Sequence, residues 1–396
     1  MYNILFLTTR FPYPSDDGGK IDTLTNIKIL SRNYGVFLFY IGNKDEKEKE
    51  LEKHTNLQGL YSYAKDTKNN LIGIFINLFR KVPYTISKYH DYNIYKKIEG
   101  IIKEKNIDIV FIDHLHMAFY GKLIKEKFDG IKLILREHNA EYIFWKRIFK
   151  EEKNIIKKFI FWGQSLKILN YEREITNIFD KCFMISPIDQ LNLLKINLNT
   201  KTVAISTAMN IKKYQLSQIV NTVPHSMIYV GNFSWLPNLQ GLLWFLREVW
   251  PEIIEEFSDA KIFVVGKNPS DEIIRFKGEN VIVTGYVNNV KPWIEKAEIF
   301  LVPLFSGGGI RIKILEAMAM GKPTVSTSIG AEGIGVSDMK NIIISDNKEN
   351  FVKSIKLLFN NKKIRDNLSK NSRKLIKEKY SFEVIEKALT QAIDNL

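Results

Sequence analysis

Short apolar runs alternate with longer stretches of helical period along this chain, and the alternation occurs twice. Asn3–Thr9, Val36–Ile41, Ile107–Ile112, Lys132–Leu135, Cys182–Ile185 and Thr202–Ile205 form a first series of candidate strands. Met227–Val230, Lys261–Val265, Val281–Thr284, Ile299–Val302, Thr324–Ser326 and Ile342–Ile344 form a second. Strands of this length, separated by helices, pair in parallel, because a strand that must re-enter a sheet in the same direction needs a crossover. Two series in succession predict an α/β chain of two Rossmann-like domains, which suits 396 residues. The pattern turns polar across Met209–Pro224 and places the break there. The tail Ile364–Leu396 reads as two helices split near Tyr380-Ser381-Phe382, with Ser381 placed to cap the second.

Composition narrows the function classes. Cys182 is the only cysteine, which excludes an internal disulfide framework and a cysteine-rich metal site and fits a reducing cytoplasm. No apolar run reaches 18 residues, so no transmembrane helix is expected. The apolar start at Asn3 lacks a basic lead-in and reads as a first strand, not a signal peptide. The net charge of +14 favours anionic partners. Scattered lysines fit a general lysine bias equally well.

In open parallel sheets, ligands bind beyond the carboxyl ends of the strands. The loop after Val302 is the richest such place. Ser306, Gly307, Gly308 and Gly309 let backbone amides approach a ligand, and a helix opening near Ile310 aims its positive end there. Arg311 and Lys313 add mobile cations. Ile312, Leu315 and Ala319 have core spacing, whereas Glu316 lies off that face and can accept from adjacent ribose hydroxyls. A surface ion pair between Lys313 and Glu316 is the plainer reading. The loop Arg10–Lys20 joins the first strand to a helix, and Gly18 and Gly19 at that helix start can admit a phosphate or an acceptor beside Lys20. A simple turn also explains them.

Three of the six histidines, His114, His116 and His138, sit at two strand ends, with Asn139 beside the last. A site role is favoured there. No compact metal-ligand spacing occurs, so neither a metal nor another cofactor is expected. Tyr61–Lys105 and Ile143–Trp162 mix apolar and basic residues. The second holds Phe144, Trp145, Phe149, Phe159, Phe161 and Trp162 among lysines. Such stretches either lie in a lipid interface or pack their aromatics into the domain. No nucleic-acid motif is present.

The segment Pro303–Pro323, with Leu315-Glu316-Ala317-Met318-Ala319-Met320-Gly321, resembles the family-4 (group 1) retaining glycosyltransferases. Val325–Gly333 and His138-Asn139-Ala140-Glu141-Tyr142 are similar to the family as well. Glu316 matches the second glutamate of the family's Glu-x7-Glu motif, while Gly308 stands where the first would fall. The stretch Val230–Asn238 lacks the Arg and Lys that many members carry there.

The resemblance implies the GT-B fold, two Rossmann-like domains with a cleft between them. It implies an acceptor-side domain over 1–210, a linker over 211–224, a donor domain over 225–380 and a helix over 381–396 crossing back to the N-terminal domain. Glu316 would hold ribose, Arg311 and Lys313 would substitute as diphosphate ligands, and Gly266, Tyr286 and Val287 would lie near the base. His114, His116 and His138 are the candidates for the acceptor-side histidine. The implied activity is metal-independent, hexosyltransferase-like transfer from a nucleotide sugar to a glycan or lipid-linked acceptor, with retention. The setting would be cell-envelope polysaccharide synthesis, at the cytoplasmic face of an anionic membrane. The alternatives are a sugar-nucleotide epimerase of the same architecture and a non-catalytic membrane scaffold.

Overall fold

The computed structural model describes residues 1–152, 154–214 and 222–396, which form two compact units. Met1–Ala208 with Ile385–Leu396 make the first, and Met209–Val384 the second. Of the expected linker, 211–214 form a 3-10 turn and Val223 N donates to Lys296 O at 2.8 Å, both within the second unit. Residues 215–221 of that linker lie outside the described residues, as does residue 153 of the second apolar-basic stretch.

The first unit holds a seven-stranded parallel sheet. Its strands are β1 (Asn3–Thr8), β2 (Gly35–Ile41), β3 (Leu57–Tyr63), β4 (Ile109–Asp113), β5 (Lys132–Glu137), β6 (Lys181–Met184) and β7 (Thr202–Ala204), in the order β3-β2-β1-β4-β5-β6-β7. Helices cover both faces, so the central strands are apolar throughout: Ile4 to Leu7 of β1 are fully buried. β3 escapes the reading by apolar runs because it is an edge strand, half-exposed, and Gln58, Gly59 and Ser62 interrupt its apolar residues. Helix α1 (Gly18–Asn33) follows β1, α2 (Glu141–Glu151) and α3 (Ile155–Ile175) follow β5, and α4 (Pro187–Ile196) follows β6. The α4 start is local chemistry: Pro187 needs no amide partner, and the Ser186 hydroxyl accepts from Asp189 N at 3.1 Å.

The second unit has a six-stranded sheet of β8 (Ser226–Val230), β9 (Lys261–Val265), β10 (Val281–Gly285), β11 (Ile299–Val302), β12 (Thr324–Ser326) and β13 (Ile343–Ile344), in the order β10-β9-β8-β11-β12-β13. Helix α5 (Ile312–Ala319) follows β11, and α6 (Lys362–Lys379) lies near the end. Helix α7 (Phe382–Asp394) starts where Ser381 Oγ accepts from Val384 N at 3.4 Å. From Ile385 on it belongs to the first unit. There Tyr34 Oη donates to Asp394 Oδ1 at 2.8 Å, and Lys181 Nζ to Ala392 O at 3.1 Å.

Both sheets reverse their strand order beside the first strand of the unit. β1 lies between β2 and β4, and β8 between β9 and β11. Two adjacent strands there send their following helices to opposite faces, which opens a crevice at their carboxyl ends. The loops after Thr8 and Asp113 flank that point in the first unit, and those after Val230 and Val302 in the second.

The aromatic stretch 143–162 divides. Phe144, Trp145, Phe149 and Phe161 are half-buried, with Trp145 on α2 meeting Phe161 on α3 at 6.0 Å between ring centroids. They serve the packing of α2 on α3, whereas Phe159 and Trp162 face outward. Ile86, Ile94 and Ile98 of the stretch 61–105 are core residues.

Candidate active site

At the reversal point of the first unit, strand β4 ends on Asp113, which is fully buried. Its Oδ2 accepts from Thr8 Oγ1 at 3.1 Å and Thr23 Oγ1 at 2.7 Å, and its Oδ1 lies 2.7 Å from His138 Nε2. His138 follows β5. His114 takes a positive φ of 77° just past β4 and stacks on the His138 ring, 3.9 Å between centroids and 18° between planes. Behind them Arg136 makes a two-pronged, fully buried ion pair with Asp22 of α1, Nε to Oδ2 at 3.0 Å and Nη2 to Oδ1 at 2.9 Å. Planar guanidinium and carboxylate match in such a fork, which fixes β5 against α1.

The charges sort the three histidines. Burial opposes charge on Asp113, yet His114, His138 and the hydrogen bonds from His138 and Thr23 hold its carboxyl well below the usual range. Burial likewise opposes a proton on His138, but the Asp113 carboxylate overcomes it and raises the imidazole above its ordinary value. Burial, then repulsion by His138, pushes His114 well below. Burial also lowers His116, to about 4; its ring sits edge-on to Tyr89 and makes no carboxylate contact among the described residues. The arrangement makes His138 the more basic ring of the stacked pair and His114 the less basic one. His116 stands apart, 6.2 Å from the His114 ring.

Asp113, His114 and His138 also bring three potential ligand atoms within 4.8 Å of one another. Imidazole nitrogens bind a metal in the ring plane at about 2 Å. Two rings stacked 3.9 Å apart and nearly parallel cannot both do so without turning.

Below it is a buried acid group. Burial and the neighbouring Glu172 push Glu137 far above the usual carboxyl range, and burial raises Glu172 as well. Burial raises Glu141 to about 7. Glu172 accepts from the first amides of α2, Glu141 N at 3.1 Å and Tyr142 N at 2.8 Å. A carboxylate there meets the positive end of the helix.

The loop Arg10–Lys20 is self-bonded. Asp17 caps α1 by accepting from Lys20 N at 3.0 Å and pairs with Arg10 at 2.7 Å, while Lys20 Nζ lies 3.1 Å from Asp16. A Cβ on Gly19 would come within 3.0 Å of Arg10 Nη2, so Gly19 lets the arginine close over the helix start. Gly18 is the first residue of α1.

In the second unit, α5 begins at Ile312, two residues later than the sequence predicts. The loop ahead of it bends through Gly307 at φ 113° and Gly309 at φ 70°, conformations that favour glycine. Arg311 is not the mobile cation expected. It is buried, its Nη1 donates to Gly308 O and to Gly309 O, and its guanidinium faces the Trp235 ring at 5.7 Å. Lys313 is held too: Nζ donates to Val230 O at 3.0 Å and Asn238 Oδ1 at 2.9 Å, over the Tyr229 ring. Burial, then the Arg311 charge, lowers its ammonium to about 7. Arg311 therefore braces the glycine loop, while Lys313 ties α5 to the end of β8, at the reversal point between β8 and β11. Lys313 makes no ion pair with Glu316 among the described residues.

Glu316 is half-buried, and Oε1 accepts from Tyr214 Oη at 2.6 Å. Burial raises its carboxyl above the usual range. Leu315 is fully buried and Ser306 nearly so, so Leu315 serves the core. Gly266 answers a packing need: a Cβ there would lie 1.6 Å from Gly231 O. Tyr286 is exposed, with Lys267 Nζ 4.9 Å from its ring, and Val287 beside it is half-exposed.

Residues 224–361 match the family model described as glycosyl transferases group 1. The second unit thus resembles the group 1 glycosyltransferases. The chain is 26% identical over 364 residues to an uncharacterized 44.6 kDa protein in the cps region of Klebsiella pneumoniae, covering 90% of each chain. It is 24% identical over 360 residues to an uncharacterized glycosyltransferase of Methanocaldococcus jannaschii, covering 88% of this chain and 91% of that one. In fold it is similar to sucrose-phosphate synthase from Thermosynechococcus elongatus, with a TM-score of 0.76 at 14% identity over 100% of this chain and 99% of that one. It is also similar to Anabaena HepE in complex with UDP-glucose, with a TM-score of 0.71 at 13% identity over 100% of both chains. These likenesses establish the GT-B fold of the chain.

Sequence reading missed Asp22, Thr8, Thr23, Tyr214 and Asn238 as site residues. Arg136 and Glu137 carried a signal: charges that close an otherwise apolar buried strand require partners from elsewhere. Nothing local pairs Tyr214 with Glu316, 102 residues later.

Proposed function

We propose that this protein is a glycosyltransferase that carries a hexose from a nucleotide-sugar donor to a glycan or lipid-linked glycan, with retention and without a metal, in the synthesis of surface polysaccharide. The glycine loop after β11 carries the reading. It combines two positive-φ glycines, two braced cations, a helix start and a carboxylate at the reversal point of the sheet. Similarity to a protein of a cps region supports the polysaccharide setting. Similarity to HepE, whose structure holds UDP-glucose, supports a nucleotide-sugar donor.

In this reading Glu316 accepts from the ribose hydroxyls with the lone pairs that Tyr214 leaves free. Arg311, Lys313 and the amides of Gly307 to Gly309 receive the diphosphate, whose charge grows as the glycosidic bond breaks. Positive groups fixed in advance lower that barrier, which is the task a metal would otherwise perform. Tyr286 and Val287 border the base. On the acceptor side, His138 commits Nε2 to Asp113 and offers Nδ1 to a substrate hydroxyl, with Lys20 and Asn139 nearby in sequence to the loops of that site. The acceptor attacks the face from which the nucleotide departs, so the anomeric configuration is kept.

The test is a panel of nucleotide sugars assayed for hydrolysis and transfer, with the product anomer read by NMR. The reading requires a product of the donor's configuration, activity that survives EDTA, and its loss in Glu316→Ala. An inverted anomer sinks the retaining mechanism. Conversion of the sugar with its nucleotide still attached identifies an epimerase instead.

A further inference from the structure

Where helix 71–77 meets α3, two polar residues are buried and clasp each other. Asn77 and Gln164 are 2% and 4% exposed, and Gln164 Nε2 donates to Asn77 Oδ1 at 3.2 Å. Gln164 Oε1 accepts from Tyr84 N at 3.1 Å, and Lys167 Nζ donates to Asn77 O at 2.6 Å and Leu78 O at 3.0 Å. Several large apolar residues of helix 71–77, its following turn and the start of α3 point outward. Phe79 is 83% exposed and Ile155 84%, and Phe75, Ile156, Phe159 and Trp162 are exposed with them. Soluble proteins rarely leave so many large apolar side chains together in water.

The charges around this face are mainly positive, the exceptions being Glu151 and Glu152 just ahead of α3. The stretch 71–81 contains Arg80 and Lys81 and no acidic residue; 155–171 contains Lys157, Lys158 and Lys167 and none either. Arg80, Lys81 and Lys157 are exposed. Exposed aliphatic and aromatic side chains with a mainly cationic rim match the boundary of an anionic bilayer, where apolar groups enter the acyl edge and cations meet the headgroups. A ring of Trp character suits that depth. No described helix is long and apolar enough to cross a membrane, so this face would lie in the surface.

We propose that the face formed by helix 71–77 with its following turn and by the start of α3 seats the protein on an anionic membrane surface. The polar clasp holds the two helices in one rigid lip, so that binding requires no folding. This inference does not rest on the transferase reading.

The experiment is flotation of the full-length protein with vesicles of phosphatidylcholine, alone or mixed with an equal part of phosphatidylglycerol. The wild type floats with the mixed vesicles and binds the neutral ones about tenfold more weakly or less. The double variant Phe79→Ser/Phe159→Ser, and separately Lys157→Glu/Lys158→Glu, each lose about tenfold or more in binding to mixed vesicles while keeping the wild-type melting temperature. Tryptophan emission shifts to the blue on binding, and Trp162→Phe removes most of the shift. Equal flotation of wild type and both double variants overturns the proposal. So does wild type that stays unbound to both vesicles, or a concentration-dependent dimer that Phe79→Ser/Phe159→Ser dissolves without any vesicle binding.

Discussion

Tyr214 Oη donates to Glu316 Oε1 at 2.6 Å, joining the turn 211–214 to the only carboxylate of α5. The bond engages one oxygen of Glu316, and in the proposed reading the other accepts from the donor ribose. Tyr214→Phe removes a hydrogen bond to a charged acceptor and lets the side chain rotate. We expect KM for the donor to rise roughly threefold to tenfold, consistent with about 1 kcal/mol, while kcat stays within about twofold. A fall in kcat with unchanged KM would place Tyr214 in the chemical step instead.

His138 depends on Asp113 for its proton. Asp113→Asn keeps the shape and removes the charge, so the imidazole titrates at lower pH, as NMR of the ring protons should show. The sign follows from linkage. His138 is raised in the folded state, so its contribution to stability is complete below the ordinary histidine value of about 6.5 and is lost as pH climbs through the higher folded value. Asp113→Asn should flatten that alkaline loss. It should also cut transfer, with His138→Ala at least as severe and His116→Ala near wild type.

Lys313 sits near neutrality with its ammonium lowered to about 7. A diphosphate drawing close restores the charge, so donor binding takes up a proton above that pH. Calorimetry of nucleoside diphosphate binding in buffers of different ionisation enthalpy measures the uptake directly. Affinity should fall by up to about tenfold for each pH unit above 7, and the dependence should vanish in Lys313→Met. Binding that ignores pH in the wild type would remove Lys313 from the diphosphate site.

The acid group under His138 makes its own pH signature. Glu141 and Glu172 are raised by burial, so the folded protein holds protons that the unfolded chain releases above about 4.3. Stability therefore declines as pH rises from that value through the folded ones, by up to about 1.4 kcal/mol per unit for each proton. Glu172→Gln keeps an acceptor for Glu141 N and Tyr142 N and removes one ionisation. Its melting temperature should vary less between pH 5 and 8 than that of the wild type, by about several degrees.

Strands and loops were legible because each is a local property. β1, β9 and β11 announce themselves as apolar runs, and Gly307 to Gly309 mark a backbone that must bend. β3 was not legible, since an edge strand covered on only part of its surface needs no continuous apolar run. Arg311 and Lys313 could be named from their spacing, yet their roles could not. A cation in a sequence has no address until the fold shows which carbonyls hold it in place, Gly309 O for Arg311 and Val230 O for Lys313.

The order of residues alone determined two parallel sheets, the glycine-lined loop ahead of α5 and the histidines at the ends of β4 and β5, because period and turn chemistry act within a few residues. Only the tertiary structure decided which histidine is the more basic, that Arg136 answers Asp22, that Tyr214 holds Glu316 and that Ile155, Ile156 and Phe159 at the start of α3 face outward. Those outcomes depend on charge and desolvation between groups 25 to 114 residues apart, and the sequence specifies such distances only by folding.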